Sequence, residues 1–324
     1  MNTDQLSLIY SDSSSHDVNL AAAALHGWNQ EYDQVDMGLF QGSLENLAGS
    51  GIQVFRERLN ISVAQFATTP HEQISILVPL ELAHQGSADQ ARNICADGIT
   101  LLPYESDIFW VCGQASDYVV VSISIDLLKP LLCDEDLNAL MQAQRSYAVN
   151  LPAQRLVELR RTLPSLLQGH KDDAQILSPE LRNRSLQHYL ADVLLDLYTG
   201  YDDCGGKRDW RPLGNQHHYI VRKSMAFIDS AEGLEASVLD VCKALNIPRR
   251  TLNYSFERVT GMAPSRYLRS VRLNRVRREV LTSSEPIGSI AARYGFFHAG
   301  YFGKEYRRLF GESASQTRMA FKVK

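Results

Sequence analysis

Residues 238–260, VLDVCKALNIPRRTLNYSFERVT, carry two helical faces separated by a turn. Val238, Val241, Cys242 and Leu245 recur at the i, i+3, i+4, i+7 spacing of one buried stripe, and Leu252, Phe256 and Val259 form a second stripe after the turn. The pattern returns downstream as Ile287, Ile290, Ala291 and Tyr294, then Phe302, Tyr306 and Leu309. The first faces are offset by 49 residues and the second faces by 50, so the second turn is one residue longer. Paired short helices of this kind are the helix-turn-helix arrangement, whose second helix enters the DNA major groove.

The residues opposite each buried stripe are then the readers. A helix advances about 100° per residue, so Leu252, Phe256 and Val259 inward put Arg250, Tyr254 and Glu257 outward, with Arg249 and Asn253 at the flank. Arginine can fork onto guanine O6 and N7, and asparagine can pair with adenine N6 and N7, which makes Arg250 and Asn253 the sequence readers. Tyr254 can stack on a sugar or meet a thymine methyl. In the second unit the same construction turns Gly300, Lys304 and Arg307 outward, with Gly303 beside them and His298 near the helix start. Glycines offer no side chain for base readout, so Lys304 and Arg307 are expected to anchor phosphates. Between the units, Ser265 to Leu281 has no Gly or Pro and reads as one rigid helix; its arginines at 266, 269, 272, 275, 277 and 278 either face DNA or pair with acidic neighbours.

Charge divides the chain in the same place. Leu213 to Lys324 holds 19 Lys and Arg against 9 Asp and Glu, a net +10, whereas the remaining 212 residues hold 14 against 28, a net −14. A basic helical segment suits a polyanion, because each phosphate it neutralises releases counterions. The acidic half is expected to point away from DNA.

Upstream, IQVFRERLNISVAQF, ISILVPL, GITLLP, DIFWV and YVVVSISI are short β-rich runs broken by Gly, Pro, Asn or Asp, the pattern of an antiparallel sandwich or barrel. Two helical candidates follow: Leu151 to Gln168, interrupted by Pro164, and Leu181 to Tyr198, opened by Ser178-Pro179-Glu180. In the latter, Leu186, Leu190, Val193, Leu194 and Leu197 form an apolar stripe that either packs on its own barrel or meets a second copy of the chain. The expected organisation is a flexible tail at 1–18, a ligand-sensing and dimerisation domain at 19–199, a Gly-, Asp- and Pro-rich linker at 200–215, and a DNA-binding domain at 216–324. The fold class is α+β: a barrel-like, cupin-type β domain with helices, followed by an all-α domain.

Five cysteines, odd in number and without a CxxC, argue against a disulfide framework or a zinc site. No signal peptide or run of 18 apolar residues is present, so the expected location is cytoplasmic, with no membrane partner. A metal-dependent oxygenase is the competing reading of the barrel, but its strand region offers only His71, with Glu72 beside it, and His84, in no HxH spacing. A DNA-repair or architectural role is the third. No catalytic residue, metal or cofactor is expected.

The stretch LDVCKALNIPRRTLNYSFERVTGMAPSRYLRSVRLNRVRREVL, followed by PIGSIAARYGFFHAGYFGKEYRRLFGESAS, resembles the DNA-binding domain of the AraC/XylS transcription regulators. The likeness covers about the last 105 residues and includes the Arg-Thr-Leu, the Gly-x-x-Pro before Tyr267 and the IAxxYGF. It implies a seven-helix domain whose two reading helices enter successive major-groove segments, about one turn of duplex apart. It also implies double-stranded DNA as partner, an activator role with RNA polymerase, a homodimer, and a small-molecule effector of unknown identity. Pro248 departs from the family's capping Ser, and Ala314 from its proline. The stretch WNQEYDQVDMGLFQGSLENLAGSGIQVFRERLNISVAQ is similar to the sensing half of the ethanolamine operon regulators, whose effector is ethanolamine with a cobalamin.

Overall fold

The protein is described by a computed structural model over residues 8–322, except 50, 82–93, 96–97, 143–144, 150, 173–185, 187, 191–192, 194–209, 215, 231–232 and 234. It is an α+β chain. The β half comprises β1 (Ile9–Ser15), α1 (Val18–Ala23), β2 (Asn29–Gln34), β3 (Gly42–Gly49), β4 (Ile52–Leu59), β5 (Val63–Thr68), β6 (Gln73–Glu81), β7 (Ile99–Leu101), β8 (Asp107–Cys112) and β9 (Ser116–Ser124). Then come α2 (Ile125–Leu128), α3 (Asp134–Met141), β10 (Tyr147–Val149), α4 (Ala153–Asp172) and β11 (Trp210–Pro212). Two antiparallel sheets result, an eight-stranded one in the order β1-β3-β4-β9-β6-β7-β10-β11 and a three-stranded one in the order β2-β5-β8.

Strand alternation sends successive side chains to different cores. From the large sheet, Val54, Ile76, Val119 and Val121 point to a core shared with α4, while Phe55, Leu59, Leu77, Tyr118 and Val120 point to the space between the sheets. The small sheet fills that space from its side with Tyr32, Val63, Ile108 and Trp110. Its outer face, through Ala64, Phe66, Phe109 and Val111, packs on the helical half. Burial on both faces explains why runs such as YVVVSISI are continuously apolar rather than alternating.

Several boundaries differ from the sequence expectation. Residues 9–15, expected within the flexible tail, form β1, which pairs with β3 from Ile9↔Ala48 to Ser15↔Gly42. Residues 210–212, expected in the linker, form edge strand β11 on β10. Helix α4 runs through Pro164 without interruption. Leu186, Leu190 and Val193, the candidate dimer contacts, are buried at 3%, 0% and 1% exposure within the single chain, in the core cluster that also holds Leu163 and Leu167 of α4, which is the first of the two roles the stripe left open. Leu197 lies outside the described residues.

The helical half contains seven helices among the described residues: α5 (Gln216–Asp229), α6 (Val238–Leu245), α7 (Arg249–Thr260), α8 (Pro264–Thr282), α9 (Ile287–Arg293), α10 (Ala299–Phe310) and α11 (Ala314–Lys322). The first pair, α6 and α7, packs with α5 and the start of α8 around Leu252, Phe256 and Tyr267. The second pair, α9 and α10, packs with the end of α8 around Phe302 and Tyr306. Because Val35, Ala64 and Phe109 of the β half belong to the same core as Ile220, Met225 and Val271, the two halves share one apolar core rather than touching across a wet surface.

Candidate nucleic-acid interface

Local chemistry sets the two turns. Ser237 and Asp240 form a reciprocal capping box at the start of α6, and Asn246 ends that helix in the left-handed conformation at φ 51°. Pro248 then occupies the cap position of α7 with no side-chain hydrogen bond, as its sequence suggested, and Gly261 closes the helix at φ 70°. In the second unit His298 caps α10 without a side-chain bond, and Gly311 ends it at φ 72°.

Arg249, Arg250, Tyr254, His298, Gly300, Lys304 and Arg307 are all exposed, and Asn253 is half-buried. The side chains of Arg249, Arg250, Lys304 and Arg307 make no hydrogen bond or ion pair with a described residue, so four guanidinium or ammonium groups on the two reading helices are available to an anion. Tyr254 is held more firmly than its sequence suggested. Arg258 donates to its Oη through Nε at 2.9 Å and Nη2 at 2.7 Å, and His217 meets its ring edge-on at 4.9 Å. Added Cβ atoms at Gly300 and Gly303 would meet nothing within 4 Å, which leaves a smooth face beside exposed Phe297 and Tyr301. Phe297, 71% exposed, went unremarked in the sequence because its neighbour Phe296 fits the apolar period and it does not.

The arginines of α8 behave differently. Arg277 is 7% exposed and grips Asp17 through Nε at 2.9 Å and Nη2 at 2.7 Å, while Nη1 reaches Glu312 at 2.8 Å. Arg278 holds Asp33 at 2.6 Å and Glu31. Arg275 pairs with Asp229, Arg272 donates to the Ala236 carbonyl, Arg269 meets Glu305 at 3.1 Å, and Arg266 meets Asp36 at 3.3 Å. Burial pushes the Asp33 carboxyl up to about 6 even against the pull of Arg278. Of the two roles open to these arginines, pairing with acidic neighbours is the one observed. The acidic half supplies Asp17, Glu31, Asp33 and Asp36 to the connector.

A second polar cluster lies between the sheets. Glu57 of β4, 4% exposed, accepts from Tyr32 Oη at 3.0 Å, from Gln65 Nε2 at 3.3 Å and from Tyr118 Oη, all at Oε2. Burial raises its pKa, and these hydrogen bonds only partly restore the charged form. Trp28 and Trp110, in the same core, carry buried indole N–H groups without an acceptor among the described residues. His71, by contrast, is exposed beside Glu72 and Glu105, and His84 lies outside the described residues. Among the described residues no three metal-ligating side chains converge, and no helix is long and apolar enough to cross a membrane.

Residues 241–320 match the model of a helix-turn-helix domain. The chain is 31% identical over 100 residues to the probable thc operon regulatory protein of Rhodococcus erythropolis, covering 30% of each chain. It is 38% identical over 78 residues to the XylDLEGF operon transcriptional activator 2 of Pseudomonas putida, covering 23% of this chain and 50% of that one. Among solved structures, an AraC-type DNA-binding-domain regulator from Chromobacterium violaceum aligns with 25% identity and a TM-score of 0.30, over 32% of this chain and 92% of that one. The chain thus spans half or less of the length of the two curated relatives. What it shares with these transcriptional regulators is a helix-turn-helix domain at residues 241–320.

Proposed function

We propose that the chain is a sequence-specific, DNA-binding transcription regulator of the AraC/XylS type, a ligand-responsive activator that reads two successive major-groove segments. The observation that carries this reading is the contrast in partners. Arg249, Arg250, Lys304 and Arg307 on the reading helices are exposed and unpaired, while every arginine of the connector between them is occupied. Arg250 and Asn253 specify bases from α7; Lys304 and Arg307 anchor phosphates from α10. Double-stranded DNA and RNA polymerase are the macromolecular partners, and a homodimer forms through a surface other than the Leu186–Val193 stripe. The test is fluorescence anisotropy of the full chain on its own upstream DNA against scrambled duplex. Preference for the upstream DNA that Arg250→Ala removes supports the reading; equal affinity for both duplexes refutes it.

The β half is the sensor, a cupin-type sandwich whose effector site is the cluster around Glu57. A buried carboxylate whose partners Tyr32, Gln65 and Tyr118 are all neutral suits a small cationic amine. A ligand of the folded sensor raises its melting temperature by mass action. Small amines are expected to do so for the wild-type chain and not for Glu57→Gln; stabilisation by carboxylates alone contradicts the assignment.

A further inference from the structure

The segment 31–39, at the end of β2 and just after it, touches the connector α8 and the second helix-turn-helix unit at once. The side chain of Asn274, fully buried in α8, pairs with the main chain of Gln34 in both directions, accepting from its N–H at 3.0 Å and donating to its carbonyl at 2.8 Å. Gln34 Nε2 and the Gly38 N–H, the latter at 3.0 Å, both donate to the Leu309 carbonyl, one of the orphan acceptors at the C-terminal end of α10. Met37 lies against Arg308, Asp36 against Arg266, and Leu39 against Gly311 just past α10. One strand end is thus hydrogen-bonded to the connector and to the second reading helix together.

Yet nothing in this contact covers the readers, since Arg250, Lys304 and Arg307 stay exposed. Through this contact the β half acts on where α10 is held relative to α8.

We propose that segment 31–39 is an intramolecular staple that restrains the second helix-turn-helix unit, so that the sensor regulates DNA binding by fixing the relative position of the two readers rather than by masking them. This rests on the DNA-reading assignment above. Release of the staple lets α10 adjust to the second groove segment; the first unit binds equally well in either state. The population of the released state then sets the apparent affinity for two-segment DNA.

The experiment is a reversible tether. An added Cβ at Gly311 falls 2.8 Å from the Leu39 Cγ, so the two positions are close enough for the double variant Leu39→Cys, Gly311→Cys to lock the staple on oxidation. Anisotropy is measured on duplex carrying both groove segments and on duplex carrying only the first, for oxidised and reduced forms of the same full-length variant. Oxidation is expected to weaken binding to two-segment DNA at least about fivefold, with reduction restoring it and first-segment binding unchanged. Independently, Gln34→Ala removes the side-chain bond to Leu309 and is expected to tighten two-segment binding alone. An oxidised form that binds two-segment DNA as well as the reduced form, or a Gln34→Ala variant that binds it more weakly, overturns the staple. Should the wild type not prefer its upstream DNA to scrambled duplex, the DNA-reading assignment fails first; preference with an unresponsive tether sinks the staple alone.

Discussion

Two sets of basic side chains lie within 59 residues of each other and have opposite fates. Arg266, Arg269, Arg272, Arg275, Arg277 and Arg278 of the connector each find a carboxylate or carbonyl inside the molecule, whereas Arg249, Arg250, Lys304 and Arg307 of the reading helices find none among the described residues. The abundance of arginine on a helix therefore says little about DNA contact. What decides it is whether the rest of the chain supplies acceptors, and the connector receives them from both halves, Asp17, Glu31, Asp33 and Asp36 from the β half and Asp229, Ala236, Glu305 and Glu312 from the helical half.

The largest effect is expected where a connector arginine is lost. Arg277→Ala leaves Asp17 and Glu312 facing each other in a half-buried site and should cost about 3 kcal/mol of stability, seen as a lower urea midpoint. An unchanged midpoint places Arg277 outside the structural set. Next, Arg250→Ala should leave stability within about 0.5 kcal/mol and remove roughly 1–3 kcal/mol of discrimination between its preferred and a mismatched site, read by competition binding.

Asp33 sharpens the contrast through pH. Its carboxyl is raised to about 6 in the native state, above its ordinary value, so the native state holds this proton more tightly than the unfolded chain does. Stability from this group is present in full below the unfolded value and declines as pH rises through about 6. Asp33→Asn should accordingly flatten the stability profile between pH 4 and 7 by roughly 1–3 kcal/mol; a profile that stays as steep assigns the slope to another group. The smallest effect belongs to Lys304→Ala. It should weaken all sequences alike and reduce the salt slope of binding by about 1, with stability unchanged.

The reading helices were legible in the sequence because a helix-turn-helix unit is local: a few apolar positions at a fixed period bury one stripe and leave its complement outside. The connector arginines were half legible. Positions 266, 269, 272, 275 and 278 advance by three, and each step falls about 60° short of a full turn, so the row winds around the helix and cannot face one duplex. Their partners were not visible, since Asp17, Glu31, Asp33 and Asp36 lie more than 220 residues away in sequence. The strands β1 and β2 escaped notice for another reason. IYSDSSS is an exposed edge strand and NQEYDQ is largely polar, so neither shows the apolar alternation that marks a strand. In β4, however, Phe55, Glu57 and Leu59 point the same way, and a carboxylate at an inward position was a signal of the inter-sheet cluster. The Leu186–Val193 stripe carried no such signal, because a helix face covering its own sheet and one covering a second copy have the same period.

The most direct test of the central claim is the slope of log K against log salt concentration for upstream DNA, compared between two multiple variants of the full chain. Replacing Arg249, Arg250, Lys304 and Arg307 by alanine should reduce that slope by about 2 to 3, while replacing Arg266 and Arg269, the two most exposed connector arginines among those paired with carboxylates, should leave it unchanged. A slope that falls as much for the connector pair as for the reading-helix set contradicts the account.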